Sequence, residues 1–159
     1  MWRRVRYVLL LAALCALATC PTAKRACTSE VRARESASHL DYLGDRVAAV
    51  VATTGRVPPL AAGPTPVPGC CEQGGACSAE SVAWDAPGWR ALRFSIDNDF
   101  RYTYQYVPDP SGTSAVVRAT GDLGCDGTTR VDELHLSVEA DGKTVTRTWT
   151  HETQRPDDD

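Results

Sequence analysis

The stretch from Trp84 to Val138 constrains this chain most, because it alternates apolar and polar residues with a period of two. Leu92, Phe94 and Ile96 fall on one face, and Tyr102, Tyr104 and Tyr106 share a face of the next run. Further on, Ala115, Val117 and Ala119 oppose Val116, Arg118 and Thr120, and Leu134, Leu136 and Val138 oppose Glu133, His135 and Ser137. Short alternating runs bounded by Asp, Asn, Pro and Gly are the pattern of an antiparallel sheet with one buried face. The pattern predicts strands near 91–96, 101–107, 113–120, 131–138 and 143–150, with Ala140-Asp141-Gly142 as a hairpin turn before the last. In that last run a ladder of Thr144, Thr146, Thr148 and Thr150 opposes Val145, Arg147 and Trp149, as on an edge strand or a half-exposed one.

The upstream half explains where such a sheet would reside. Residues 1–20 have a basic start, an apolar run from Tyr7 to Ala18 and small residues at the end, the layout of a secretory signal or membrane anchor. The run is shorter than the roughly 20 apolar residues of a comfortable membrane span. Leu17-Ala18-Thr19-Cys20 resembles a lipobox, which would place a lipid on Cys20; an ordinary signal in which Cys20 is incidental fits the same letters. Residues 27–55 carry Ala33, Ala37, Leu40, Leu43, Val47, Val50 and Val51 at steps of three and four, which predicts an amphipathic helix. Thr28 or Ser29 can cap its start, and Gly55 ends it before Pro58 and Pro59. One apolar stripe must pack on something, and the downstream sheet is the large candidate. Residues 56–88 are rich in Pro, Gly and Cys and predict a loop, 89–151 the sheet, and 152–159 a solvated acidic tail.

Charge and cysteine usage narrow the function classes. The net charge of −3 includes Arg3, Arg4 and Arg6, so without that basic start it is −6 (−3 minus three positive charges). Such a chain has no broad electrostatic attraction for nucleic acid. Lys24 and Lys143 are the only lysines beside many arginines, and Ala, Val and Pro are abundant, the composition of a GC-rich bacterial gene. Seven cysteines behind an export signal imply an oxidising compartment and disulfides. Candidates are Cys27, Cys70, Cys71, Cys77 and Cys125, with Cys125 expected to pin one of Cys70, Cys71 or Cys77 across about 50 residues, a closure worth about 4 kcal/mol. With Cys15 removed, six cysteines allow three bonds; with Cys20 lipidated, five leave one over.

Gly121-Asp122-Leu123-Gly124-Cys125-Asp126-Gly127 raises a calcium reading. Counting Asp122 as position one puts Asp126 at five, the Thr128 carbonyl at seven and Glu133 at twelve, oxygen ligands of the type calcium takes. Position three is Gly124, not an acid, and an ordinary Gly/Asp turn accounts for the same residues. No other cofactor is implied. Catalysis has no motif: there is no Gly-x-Ser-x-Gly elbow and no His-Glu-x-x-His pair. His135 shares a strand face with Glu133 and Ser137 by geometry alone, and His39 reads as a surface or boundary histidine. The tyrosines at 102, 104 and 106 fit either a ligand-binding stripe or packing under the helix.

Several local words resemble type IV pilin-like and pseudopilin-like proteins, in particular myxobacterial-type heads. They are the helix ending GDRVAAVVATTGRVPP, the pairing of Trp89-x-x-Leu92-x-Phe94 with Tyr104-x-Tyr106, and the turn GDLGCDG at 121–127. The match covers about residues 33–138 and lacks the prepilin peptidase motif, a basic leader ending in Gly, then Phe, with a glutamate at the fifth mature position. The resemblance implies an α+β fold: an N-terminal apolar segment and long helix packed on a four- to five-stranded antiparallel sheet. It also implies an exported, non-enzymatic structural or interaction protein of the cell envelope. Its partners would be the membrane, through the N-terminal segment, and other pilin or pseudopilin subunits. The alternative is a stand-alone envelope lipoprotein with a ligand- or calcium-binding head.

Overall fold

The computed structural model describes the backbone of residues 21–155 and the side chains of residues 34–155. Cys20 lies outside the described residues, as do the side chains of Cys27 and Ala33. The chain divides into two compact units, Met1–Val31 and Arg32–Asp159. Of the first, the described part is helical backbone.

Helix α1 spans Pro21–Thr54, beginning ahead of the expected start, with a proline in the first turn where its missing N–H costs no hydrogen bond. It ends where expected. Gly55 takes the left-handed conformation (φ 74) and its N–H donates to the Val51 carbonyl at 2.8 Å. Within the second unit the buried stripe is Ser36, Leu40, Leu43, Val47 and Val51, at steps of three and four. Among the described residues no helix is long and apolar enough to cross a membrane.

Five strands follow the order β1-β2-β3-β4-β5, every neighbouring pair antiparallel. They are β1 (Ala62–Thr65), β2 (Thr103–Pro108), β3 (Ser114–Gly121), β4 (Thr129–Val138) and β5 (Val145–Gln154). The expected strand at 91–96 is absent. Pro87–Leu92 instead forms a short helix, α2, opened by Pro87 and closed by Arg93 in the left-handed conformation (φ 50). Leu92, Phe94 and Ile96 are nonetheless all buried, so the alternation reported burial correctly and strand pairing wrongly. The fifth strand comes from the expected loop. β1 pairs Ala62 with Tyr106 and Thr65 with Tyr104, and its Pro64 is tolerated because β1 is an edge. β5 runs on to Gln154, into residues expected to be tail.

Helix and sheet share one core. Tyr104, Tyr106, Ala115, Val117, Ala119, Leu134 and Leu136 are buried on the inner sheet face, together with the α1 stripe. The helix comes close at Gly44, where an added Cβ would sit 2.9 Å from Leu134 Cδ2, so the glycine's helix penalty of about 1 kcal/mol is accepted for close approach. Trp89 of α2 packs on Phe94, and Phe94 on Tyr104, closing one side of the core. Trp89 Nε1 donates to Thr65 Oγ1 at 2.9 Å, and the Tyr106 hydroxyl donates to the Pro58 carbonyl at 2.7 Å. The result is α+β and pilin-like in plan: a helix packed on a five-stranded antiparallel sheet.

Leu43→Ala should therefore cost about 3 kcal/mol, because a fully buried leucine leaves a cavity at the helix–sheet contact. The same truncation at Val67, which is 75% exposed, should cost under about 0.5 kcal/mol. Urea midpoints of the two variants against the parent check both.

Candidate functional site

The polar groups most deeply placed in the core gather on Asp132. Arg130 and Asp132 occupy inward positions of β4, two residues apart and in line with Leu134 and Leu136. The Asp132 side chain is fully buried. Its carboxylate accepts the Ser36 hydroxyl of α1 at 2.5 Å and Arg130 Nε at 3.0 and 2.8 Å. It also lies 2.7 Å from Nδ1 of His151, its cross-strand partner on β5. Burial by itself would raise the Asp132 pKa; the hydrogen bonds from Arg130, Ser36 and His151 outweigh it and hold the carboxyl below the usual carboxylate range. Beside this cluster the Tyr102 phenol is pushed up, by burial first, against the opposing effect of the Ser36 hydroxyl. The carboxylate stands between hydroxyl and imidazole, whereas nucleophile activation puts the imidazole next to the serine. Geometrically this is a clamp joining α1, β4 and β5. Its signal in the sequence was an acid at an inward strand position, where an uncompensated charge is costly.

A second link of the same kind is His39, which is half-buried, as its boundary reading implied. Its Nδ1 lies 2.7 Å from the Tyr104 hydroxyl. Burial lowers the His39 pKa and raises that of Tyr104, so a neutral imidazole meets a neutral phenol, a pair that can share one hydrogen bond. All three tyrosines are fully buried, which assigns them to packing and not to a ligand-binding stripe.

The Cys-rich segment is tied down twice. Cys70 bonds Cys77, and Cys71 bonds Cys125 in the β3–β4 turn, with Cα separations of 4.9 and 5.4 Å. Cys71 is thus the residue, of the three open from sequence, that Cys125 pins. Loop closure over the separation of 54 contributes about 4 kcal/mol and that over 7 about 2 kcal/mol, on the chain-entropy account. Two disulfides point to an oxidising, extracytoplasmic compartment.

The calcium candidates are not assembled. Asp122 accepts the backbone N–H groups of Gly124, Asp126 and Gly127 at 3.2, 3.1 and 2.8 Å, and Asp126 accepts that of Thr128 at 2.9 Å. Glu133 points away on the outer sheet face, where it takes Arg118 Nε at 2.5 Å and lies 3.0 Å from His135 Nε2. Among the described residues no group of three or more His, Cys, Asp or Glu side chains is placed to hold a metal ion. The Gly/Asp letters are accounted for by turn chemistry.

A groove of about 670 Å³ opens at the C-terminal end of α1. It is lined by Val50, Val57, Pro58, Val107, Pro108 and Pro110 among others, with Arg56 and Asp109 also in its wall. Nothing in the letters marks it, since it is made by the strap after α1 meeting the β2–β3 turn through Val57 N–H and the Gly112 carbonyl at 3.0 Å.

No protein-family model, no curated protein and no solved structure matches the chain.

The clamp has a pH signature. Because Asp132 has a folded pKa below its unfolded value, its stabilisation is present above about pH 4 and is lost as the pH falls through the folded value. Asp132→Asn should lower stability by about 2 kcal/mol at pH 7 and flatten the loss between about pH 5 and pH 2, read from denaturation midpoints across that range.

Proposed function

We propose that this chain is an exported, non-enzymatic structural or interaction protein of the cell envelope, akin to a minor subunit of a type IV pilus or type II secretion pseudopilus. The observation that carries the reading is the helix-on-sheet core, in which α1 from Ser36 to Val51 is buried against an antiparallel meander. Three further features support it. The loop at 70–77 is held to the sheet by Cys71–Cys125, giving a rigid presented surface. The buried polar groups join elements to one another and do not converge on a substrate site. The basic and apolar start of the sequence suits a membrane anchor. In this role the helix is a scaffold, and recognition falls to the sheet and the pinned loop.

The groove beneath Val107 favours a second reading, a stand-alone envelope lipoprotein whose head binds an apolar ligand. Envelope fractionation separates the two. On the first reading, the chain expressed in a piliated host is recovered with sheared filaments, and Cys20→Ser incorporates as much radiolabelled palmitate as the parent. A chain that stays wholly with the envelope after shearing, with palmitate labelling abolished by Cys20→Ser, would overturn the first reading in favour of the second.

A further inference from the structure

We propose that the free edge of β5 is a pairing surface for a second copy of this chain, joined antiparallel about a twofold axis at Thr150. The two edges of the sheet are treated differently. β1 is four residues long, contains Pro64 and leads into the disulfide-tied loop. β5 is ten residues long, contains neither Pro nor Lys, and keeps an unbroken register with β4 from Val145 to Gln154. Proteins that must stay single often shorten or kink such an edge, and β5 is neither short nor interrupted.

The groups on offer follow from hydrogen-bond parity. Glu139 N–H donates to the Thr144 carbonyl at 2.9 Å and Val138 N–H to the Thr113 carbonyl at 2.8 Å. Odd-numbered β4 residues therefore bond toward β5, and their partners Thr146, Thr148, Thr150 and Glu152 face back. The main-chain N–H and C=O of Arg147, Trp149, His151 and Thr153 point to the open side. Among the described residues no hydrogen bond reaches them from elsewhere in the fold.

The strand's own sequence selects the occupant and the register. Two copies that keep their inner faces on one side must pair residues of equal parity. Pairing centred on Trp149 would set Arg147 against His151 of the other copy, two basic groups opposed. Centring on Thr150 sets Trp149 against His151, Thr148 against Glu152 and Arg147 against Thr153, with no like charges opposed. Both favourable pair types already occur within one chain. Trp149 and His151 stack at 5.8 Å between centroids, and Thr150 and Thr146 hydroxyls reach Glu133 and Glu139.

Thr150 then faces its own copy as a non-hydrogen-bonded pair, about 4.5 Å between Cα atoms, within disulfide range. In the full-length chain in detergent micelles, air oxidation of Thr150→Cys should give about tenfold more covalent dimer than Thr146→Cys, with the parent as background for its own cysteines. Thr153→Pro, which removes an edge N–H but no β4–β5 bond, should cut the Thr150→Cys dimer severalfold without lowering the melting temperature. Equal dimer from Thr150→Cys and Thr146→Cys, or dimer indifferent to Thr153→Pro in a normally melting protein, overturns the proposal. A Thr150→Cys chain that keeps the parent's melting temperature and stays monomeric overturns it too.

Discussion

A lone helix has one stripe to bury and a single-layered sheet has one face, so in a domain this small each must be the other's solvent-excluding surface. Every other contact in the fold is set by that mutual burial. Leu40, Leu43, Val47 and Val51 are fully buried, each worth about 2 kcal/mol of removal from water. The polar contacts then choose one arrangement among the greasy possibilities. Ser36 reaches Asp132, His39 reaches Tyr104, Arg46 Nε donates to the Leu92 carbonyl at 2.9 Å, and Asp45 holds Arg147 at 2.6 Å. They are spaced along α1 from Ser36 to Arg46, so a shift by one helical turn would break them together.

Among the described residues the opposite sheet face has no such cover, and it carries polar side chains. Gln105, Arg118, Glu133 and Thr150 stand in register across four strands, with the Arg118–Glu133 ion pair in the middle. With the Arg118 side chain exposed, that pair is a weak source of stability, and its role is to keep the outer face soluble. Stability beyond the core comes instead from covalent ties. Cys71–Cys125 holds the long connection after α1 to the β3–β4 turn, which compensates for a segment with little regular structure of its own.

Much of this was legible in the letters, and the gaps have physical causes. The period of α1 and the Gly55 stop were plain because helix periodicity over many turns leaves few alternatives. Strands β2 to β5 were found because alternation marks a half-buried sheet. The stretch 91–96 alternates just as well, yet Arg93 adopts a left-handed cap and the chain passes through the core as an irregular segment. Alternation registers which side chains are inside, not whether the backbone is paired. β1 was hidden for the converse reason, since a four-residue edge with Gly63 and Pro64 carries turn letters. The clamp on Asp132 was missed although the inward phase of Leu134 and Leu136 already placed an acid in the core. Counting along the chain for calcium could not show direction in space: Glu133 turns outward while Asp122 bonds its own loop.

Native-state hydrogen exchange tests the shared core most directly. The amides of α1 between Leu40 and Val51 and those of β2 to β4 should exchange through one opening, with the same free energy and the same dependence on denaturant as global unfolding. Helix amides that open at markedly lower free energy, while the sheet stays protected, would contradict the claim that each is held in place by the other.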